Sequence, residues 1–163
     1  MKHNGWRLLS LLMALMLLTM AMTACNQTEN KDALYSLSYK NTTLSLGANA
    51  DPVVASLGTP VSTTEIGDCG GKGAQVKYVY ADLTLYVLKA EDGNTIDAFA
   101  LNHDMVSTDQ GVSIGDEKDH VLEHYGEPTG QSANKLEYQD GNRYLIFDLE
   151  EKQVVSIEWK IVG

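Results

Sequence analysis

The sequence predicts an α+β fold: a tandem repeat of a short helix followed by a three- to four-stranded antiparallel sheet, the two repeats packed into one unit. Three observations predict it. Leu44 to Pro60 (LSLGANADPVVASLGTP) aligns with Val112 to Pro128 at a constant shift of 68 residues, so that Gly47 meets Gly115, Val53 meets Val121, Gly58 meets Gly126 and Pro60 meets Pro128. A fixed shift of that size marks an internal repeat. Downstream, Leu145, Phe147 and Leu149 alternate with polar residues, as do Val155, Ile157, Trp159 and Ile161, which is the period of a strand with one buried face. The turn clusters EDGN, DGN and EEK separate these runs, and Asp, Gly and Asn tolerate the positive φ that tight hairpins need.

Residues 1–24 lie outside the fold. Lys2 and Arg7 precede an uncharged run from Leu8 to Ala24, the pattern of an export signal. The segment ends in Met22-Thr23-Ala24-Cys25, which resembles the lipobox of bacterial lipoproteins, with Met22 where Leu is usual. The resemblance implies that Cys25 receives diacylglycerol, that the peptide before it is removed, and that the protein sits lipid-anchored on the outer face of the cell membrane. A retained transmembrane helix is the competing reading, since 17 apolar residues lie near the lower limit for a span, and secretion with a free Cys25 is another. Lipidation alone explains a cysteine at the junction. Residues 25–33, with the polar stretch NQTENKD, lack apolar periodicity and suit a tether.

The first repeat is placed at residues 34–102. Leu34 to Lys40 alternates and is expected to add an edge strand. Pro52 falls inside the first helical turn, where its missing N–H costs nothing. Strands follow at Gln75 to Ala81, Leu83 to Lys89 and Thr95 to Leu101, and an extra loop is expected around Ile66 to Ala74. Residues 103–111 (HDMVSTDQG) form the connection to the second repeat, residues 112–163. There Asp116 is expected to cap a helix, Asp119 to favour its positive end, and Lys118, Val121, Leu122 and Tyr125 to share one side. Gly126 is expected to end that helix in the left-handed conformation, with Pro128 preventing continuation. Each helix should run about three turns. Strands are expected at Lys135 to Gln139, Arg143 to Leu149 and Gln153 to Ile161, with Leu85 and Val87 matching Leu145 and Phe147 at a shift of 60.

This plan of helix, Gly-x-Pro ending and antiparallel sheet resembles the β-lactamase inhibitory protein family and the outer-membrane-assembly lipoproteins of the SmpA/OmlA type. More closely, GDCGGKGAQVKYVY and HDMVSTDQGVSIGDEKDHVLEHYGEP resemble a group of uncharacterised lipoproteins of Gram-positive, clostridia-like bacteria. The first likeness implies a sheet face rich in aromatic side chains that grips a protein partner. By strand parity, Thr84, Tyr86 and Leu88 with Tyr144 and Ile146 lie opposite Leu85, Val87, Leu145 and Phe147. Tyr86, Leu88, Tyr144 and Ile146 are therefore the candidate protein-binding residues, because tyrosine combines an apolar ring with a hydroxyl that stays satisfied at an interface. The competing reading buries this face between the repeats or against the Tyr35 strand.

Charge narrows the partners. The chain carries 12 Lys and Arg against 22 Asp and Glu. Loss of Lys2 and Arg7 with the signal leaves a formal −12 on 139 residues, a surface that repels nucleic-acid phosphates. Cys25 and Cys69 are the only cysteines, so a lipidated Cys25 leaves Cys69 as a free thiol and no disulfide to staple the fold. An inert small hydrophobe is its default reading.

His120, Glu123 and His124 fit the HxxEH string of one class of zinc peptidases, which needs two imidazoles a turn apart and a carboxylate to activate water. Gly126 ends the helix two residues on, Pro52 and Ser56 stand at the matching positions of the first repeat, and no segment presents a third ligand. A solvated helix face is the expectation, with these three residues as weak metal candidates. GDCGGKG is no phosphate loop, since Ile66 replaces the first glycine and Gly73 the Ser or Thr after Lys72. EDGN and QDGN lack calcium-loop spacing. No cofactor is expected. The leading expectation is thus a non-enzymatic, lipid-anchored extracytoplasmic binding module that contacts another envelope or extracellular protein, in an oligomeric state the sequence does not specify. A small metal-dependent hydrolase built on HxxEH and a purely structural envelope lipoprotein are the alternatives.

Overall fold

Alternation of apolar and polar residues becomes an eight-stranded antiparallel sheet in the computed structural model, which describes residues 31–67 and 73–163. The fold is α+β, mostly antiparallel sheet with a few short helices. In chain order the elements are α1 (Lys31–Leu34), β1 (Ser36–Tyr39), β2 (Thr42–Ser45), α2 (Ala50–Leu57), β3 (Ser62–Ile66), β4 (Ala74–Val79), β5 (Leu83–Lys89), β6 (Thr95–Leu101), α3 (Lys118–Tyr125), β7 (Gly130–Ser132), β8 (Lys135–Asp140), β9 (Arg143–Glu150) and β10 (Gln153–Ile161). The sheet order is β3-β4-β5-β6-β10-β9-β8-β7. All neighbours are joined by hairpins except β6 and β10, which meet at its centre.

That central join is short and apolar. Trp159 pairs with Phe99, flanked by Glu158 with Ala100 and Lys160 with Ala98. The Phe99 and Trp159 rings stack with centroids 4.8 Å apart, and the indole N–H donates to the Leu34 carbonyl at 3.0 Å. Register extends this pair into a row, Tyr78, Leu85, Phe99, Trp159, Leu145 and Tyr138, across six strands. One apolar core covers this side, to which α2 contributes Ala50, Val53 and Leu57, α3 contributes Val121, and the β1–β2 hairpin contributes Leu37, Tyr39 and Leu44.

The segments before α2 and α3 are clipped to strands in the same way. Gly47 N–H donates to Ile96 O at 2.8 Å and Ile96 N–H to Ala48 O at 2.9 Å; Gly115 N–H donates to Val154 O at 2.7 Å and Val154 N–H to Asp116 O at 2.8 Å. Both glycines hold positive φ, 78° and 97°. Asn49 then bridges to Thr95, and Glu117 to Gln153.

Several local expectations need correction. Leu34 to Lys40 does not add an edge to the large sheet. Its strand Ser36–Tyr39 pairs with Thr42–Ser45 in a separate two-stranded hairpin, because Lys40 turns the chain at φ 53° and Leu37, Tyr39 and Leu44 bury together on the core. Lys31 to Leu34, of which Lys31 to Ala33 were expected in the tether and Leu34 in a strand, form a helical turn, and Asp32 accepts from Arg143 at 2.7 Å. Each main helix has eight residues, just over two turns instead of three; α2 starts at Ala50 with Pro52 in its first turn as expected, and α3 starts at Lys118, one residue later than an Asp116 cap would give. Asp116 does not cap α3: Glu117 is the N-cap, without a side-chain bond, and Asp116 instead accepts from Ser113 N–H at 2.7 Å. Gly126 (φ 70°, ψ −157°) and Gly58 (φ 77°, ψ −150°) end their helices outside the left-handed helical region. They occupy the extended positive-φ region, which is essentially glycine-only.

Candidate functional site

Because the core elements all pack on one side, the opposite face of the sheet carries no covering element among the described residues. Its central row runs Lys77, Tyr86, Ala98, Lys160, Tyr144 and Gln139 through consecutive register pairs. Tyr86 and Tyr144 are half-buried and stand three strand spacings apart, about 14 Å. Ala98 places only a methyl group beside Tyr86, so the row dips at its centre. Lys160 Nζ is held by Glu158 Oε2 at 3.0 Å, and Lys77 Nζ stands 5.7 Å from the Tyr86 ring centre, within range of an attraction to the ring face. Leu88, half-buried, lies further along β5 opposite Gln75 and Thr95.

The parity expectation therefore places these four side chains on one face, but they are not equivalent. Ile146 lies on that face yet is only 3% exposed. It sits in register between Glu137 and Glu158. Ile146 is packing, and Tyr86, Leu88 and Tyr144 are the accessible apolar groups. Tyr35, expected as a possible cover, is buried in the core on the other side. Lys77, Ala98 and Lys160 belong to the row and were not foreseen. The small residues of TIDAFAL, alternating with Ile96, Phe99 and Leu101, were the readable sign of a flat centre.

The second candidate is on α3. His120, Glu123 and His124 come together at helical spacing, with one ligand atom from each lying within 4.8 Å of the others. The imidazole centroids are 4.3 Å apart. Glu123 and His124 are exposed and His120 half-buried, and Asp116 Oδ2 lies 3.7 Å from His120 Nε2. Among the described residues no other group of three or more His, Cys, Asp or Glu side chains converges in this way. Tyr125 of this helix and Tyr138 each meet Phe147 edge to face and are tilted to one another, with centroids 5.1 to 6.0 Å apart. Tyr138 donates its hydroxyl to Gly126 O at 2.9 Å. Burial, with a smaller contribution from the Glu127 charge, pushes its pKa up to about 12, and burial raises Tyr125 too.

A polar hollow of about 380 Å³ at the β7–β8 edge is lined by Gln131, Ser132, Asn134, Lys135 and Glu137; it lacks the apolar walls of a small-molecule site. Cys25 and Cys69, the lipidation and free-thiol candidates, lie outside the described residues. No helix among the described residues is long and apolar enough to cross a membrane.

No protein-family model matches the chain, and no curated protein matches it. Two solved structures are similar to it. One is an extracellular protein containing an SCP domain from Bacillus anthracis, at 10% identity and a TM-score of 0.45, covering 77% of this chain and 48% of that one. This chain thus spans about half the length of that protein. The other is a DUF4309 family protein from Bacillus subtilis, at 12% identity and a TM-score of 0.49, covering 82% of this chain and 92% of that one.

Proposed function

We propose that the protein is a lipid-anchored extracytoplasmic binding module, without enzymatic activity, that docks another envelope or extracellular protein on the open face of its sheet. The observation that carries this reading is the uncovered row of Tyr86, Ala98, Lys160 and Tyr144, where two aromatic anchors flank a shallow centre and the neighbouring cations are already paired or stacked. Accessible aromatic anchors are what a protein interface enriches, and the one cation between them, Lys160, is already paired with Glu158. The lipobox-like Met22 to Cys25 supports an anchor on the outer face of the membrane.

In the same reading, the sheet is a tandem duplication whose halves meet at β6 and β10. The matched clips at Gly47 and Gly115, the mirrored strand order and the near-identical dihedrals of Gly58 and Gly126 support it. The register adjusts one correspondence. Val87 lies opposite Ile96, and Leu149 opposite Val154, so the clipped residues equate Val87 with Leu149, a shift of 62 instead of 60. Parity is unchanged, so the inward and outward faces keep their residues.

The test is crosslinking on intact cells with the native protein and with a Tyr86→Ser, Tyr144→Ser double variant. Loss of the captured partner, while the circular dichroism spectrum and melting midpoint of the variant persist, supports the face as the docking surface. Two central aromatic anchors should together weaken binding by at least about thirtyfold. Undiminished capture by a folded variant would reject it. Cys25→Ala should release the protein from membranes, and unchanged retention would reject the anchor.

A further inference from the structure

We propose that His120, Glu123 and His124 form a surface binding site for a borderline divalent transition-metal ion, zinc in the first instance, which braces the last turn of α3. The site is independent of the sheet face and requires no catalysis.

The geometry starts from the helix. Residues at i, i+3 and i+4 project from neighbouring positions of one surface, and here the result is two imidazoles with centroids 4.3 Å apart and a carboxylate whose oxygen completes a triangle of ligand atoms within 4.8 Å. Tetrahedral zinc with ligand bonds of about 2.0–2.2 Å needs its donors about 3.3–3.5 Å apart. The closure required is at most about 1.5 Å from the 4.8 Å spread, which rotamer adjustment of partly and fully exposed side chains supplies. Two nitrogen donors and one oxygen select zinc, nickel or copper over magnesium and calcium, which prefer all-oxygen sets.

Two groups stand near the rings. Asp116 Oδ2 lies 3.7 Å from His120 Nε2, beyond hydrogen-bond length but close enough for its charge to favour a cation there. Asp116 is itself fixed by Ser113 N–H at 2.7 Å. A Cβ on Gly111 would stand 3.9 Å from His124 Cε1, which places the exposed ring beside the turn closed by Gly111 N–H and Thr108 O at 2.9 Å. An ion held there would also answer a local weakness. Helix α3 has no side-chain N-cap bond and buries only Val121 fully, and a ligand bound to the folded state alone stabilises it by mass action.

The experiment is a competitive zinc titration of the full-length protein in detergent, with melting followed in parallel, comparing the native chain, a His120→Gln, His124→Gln variant and a Cys69→Ser variant. The expected result is one zinc per chain, unaffected by millimolar calcium or by Cys69→Ser, with affinity about tenfold or more weaker in the double-histidine variant, since even outer-shell changes cost that much. The melting midpoint should rise with zinc in the native chain and not in that variant. Equal zinc affinity in the native and double-histidine proteins, or loss of the zinc on Cys69→Ser, would overturn the site. Glu123→Gln supplies a second variant, expected to weaken zinc without removing either imidazole; unchanged binding would remove Glu123 from the ligand set.

Discussion

Replacing Phe99 by Ala should weaken both halves of the sheet together. The ring is fully buried and stacked on Trp159 at 4.8 Å, and it occupies the middle of the three register pairs that join β6 to β10. Truncating a fully buried phenylalanine costs about 3–5 kcal/mol, part of it the loss of a stacked aromatic pair worth about 0.5–1.5 kcal/mol. Against a domain stability of about 5–15 kcal/mol, the urea midpoint should fall by about a fifth at the least and by nearly all of its value at the most. Trp6 is removed with the signal segment in the proposed mature form, leaving Trp159 as the single tryptophan. Its fluorescence therefore reports the join, while far-ultraviolet circular dichroism reports all the strands. The two transitions should coincide in the native protein and in the variant, as one cooperative unit requires. A loss below about 1 kcal/mol, well under the range for a buried ring, or a native protein whose fluorescence and dichroism transitions separate, would refute the idea that the halves share one interior.

Three further outcomes follow from named contacts. Tyr138 is neutral when folded, with a pKa raised to about 12 from an unfolded value of about 10; its stabilisation is complete below pH 10 and is lost as pH rises through 12, so stability should decline over that window by about 2–3 kcal/mol from Tyr138 alone, with a further loss from Tyr125, whose pKa burial also raises, and a flat profile would contradict the burial assigned to the rings. Tyr138→Phe should cost about 1 kcal/mol through the lost bond to Gly126 O, whereas Tyr80→Phe should be neutral or stabilising, because the buried Tyr80 hydroxyl has no hydrogen-bond partner among the described residues; equal effects in urea titrations would remove the distinction. Gly126→Ala meets open space, so its cost is purely the backbone's, about 1–3 kcal/mol at φ 70° and ψ −157°, and a neutral substitution would show that the helix end can relax.

Much of the sheet was legible because alternation reports one-sided burial directly. Leu83–Lys89, Thr95–Leu101 and Gln153–Ile161 appear with the boundaries expected of them. What alternation does not report is pairing. Ser62–Ile66 is almost wholly exposed and Gly130–Ser132 has only three residues, so neither edge strand carries an apolar period to detect. Leu44 sat inside the segment aligned to a helix start, which hid its place in the β1–β2 hairpin. Two bulges leave Asp97 on β6 and Val155 on β10 without a register partner, and each extra residue breaks the strict alternation of its strand. At the candidate site, parity puts Tyr86, Leu88, Tyr144 and Ile146 on one face, but parity does not report how deeply each is buried, and Ile146 is only 3% exposed.

The way Lys31 to Tyr35 are fastened governs how load would travel through the molecule. Asp32 is bound to Arg143 on β9, whose guanidinium lies 4.7 Å from the Tyr35 ring centre, and the next carbonyl, that of Leu34, is held by the indole of Trp159. A pull on a chain anchored before Lys31 would arrive first at β9 and β10, in the middle of the molecule, instead of unzipping an outer ribbon. In a body moored by its leading end, resistance to tearing would begin with the side chains that also hold the centre together.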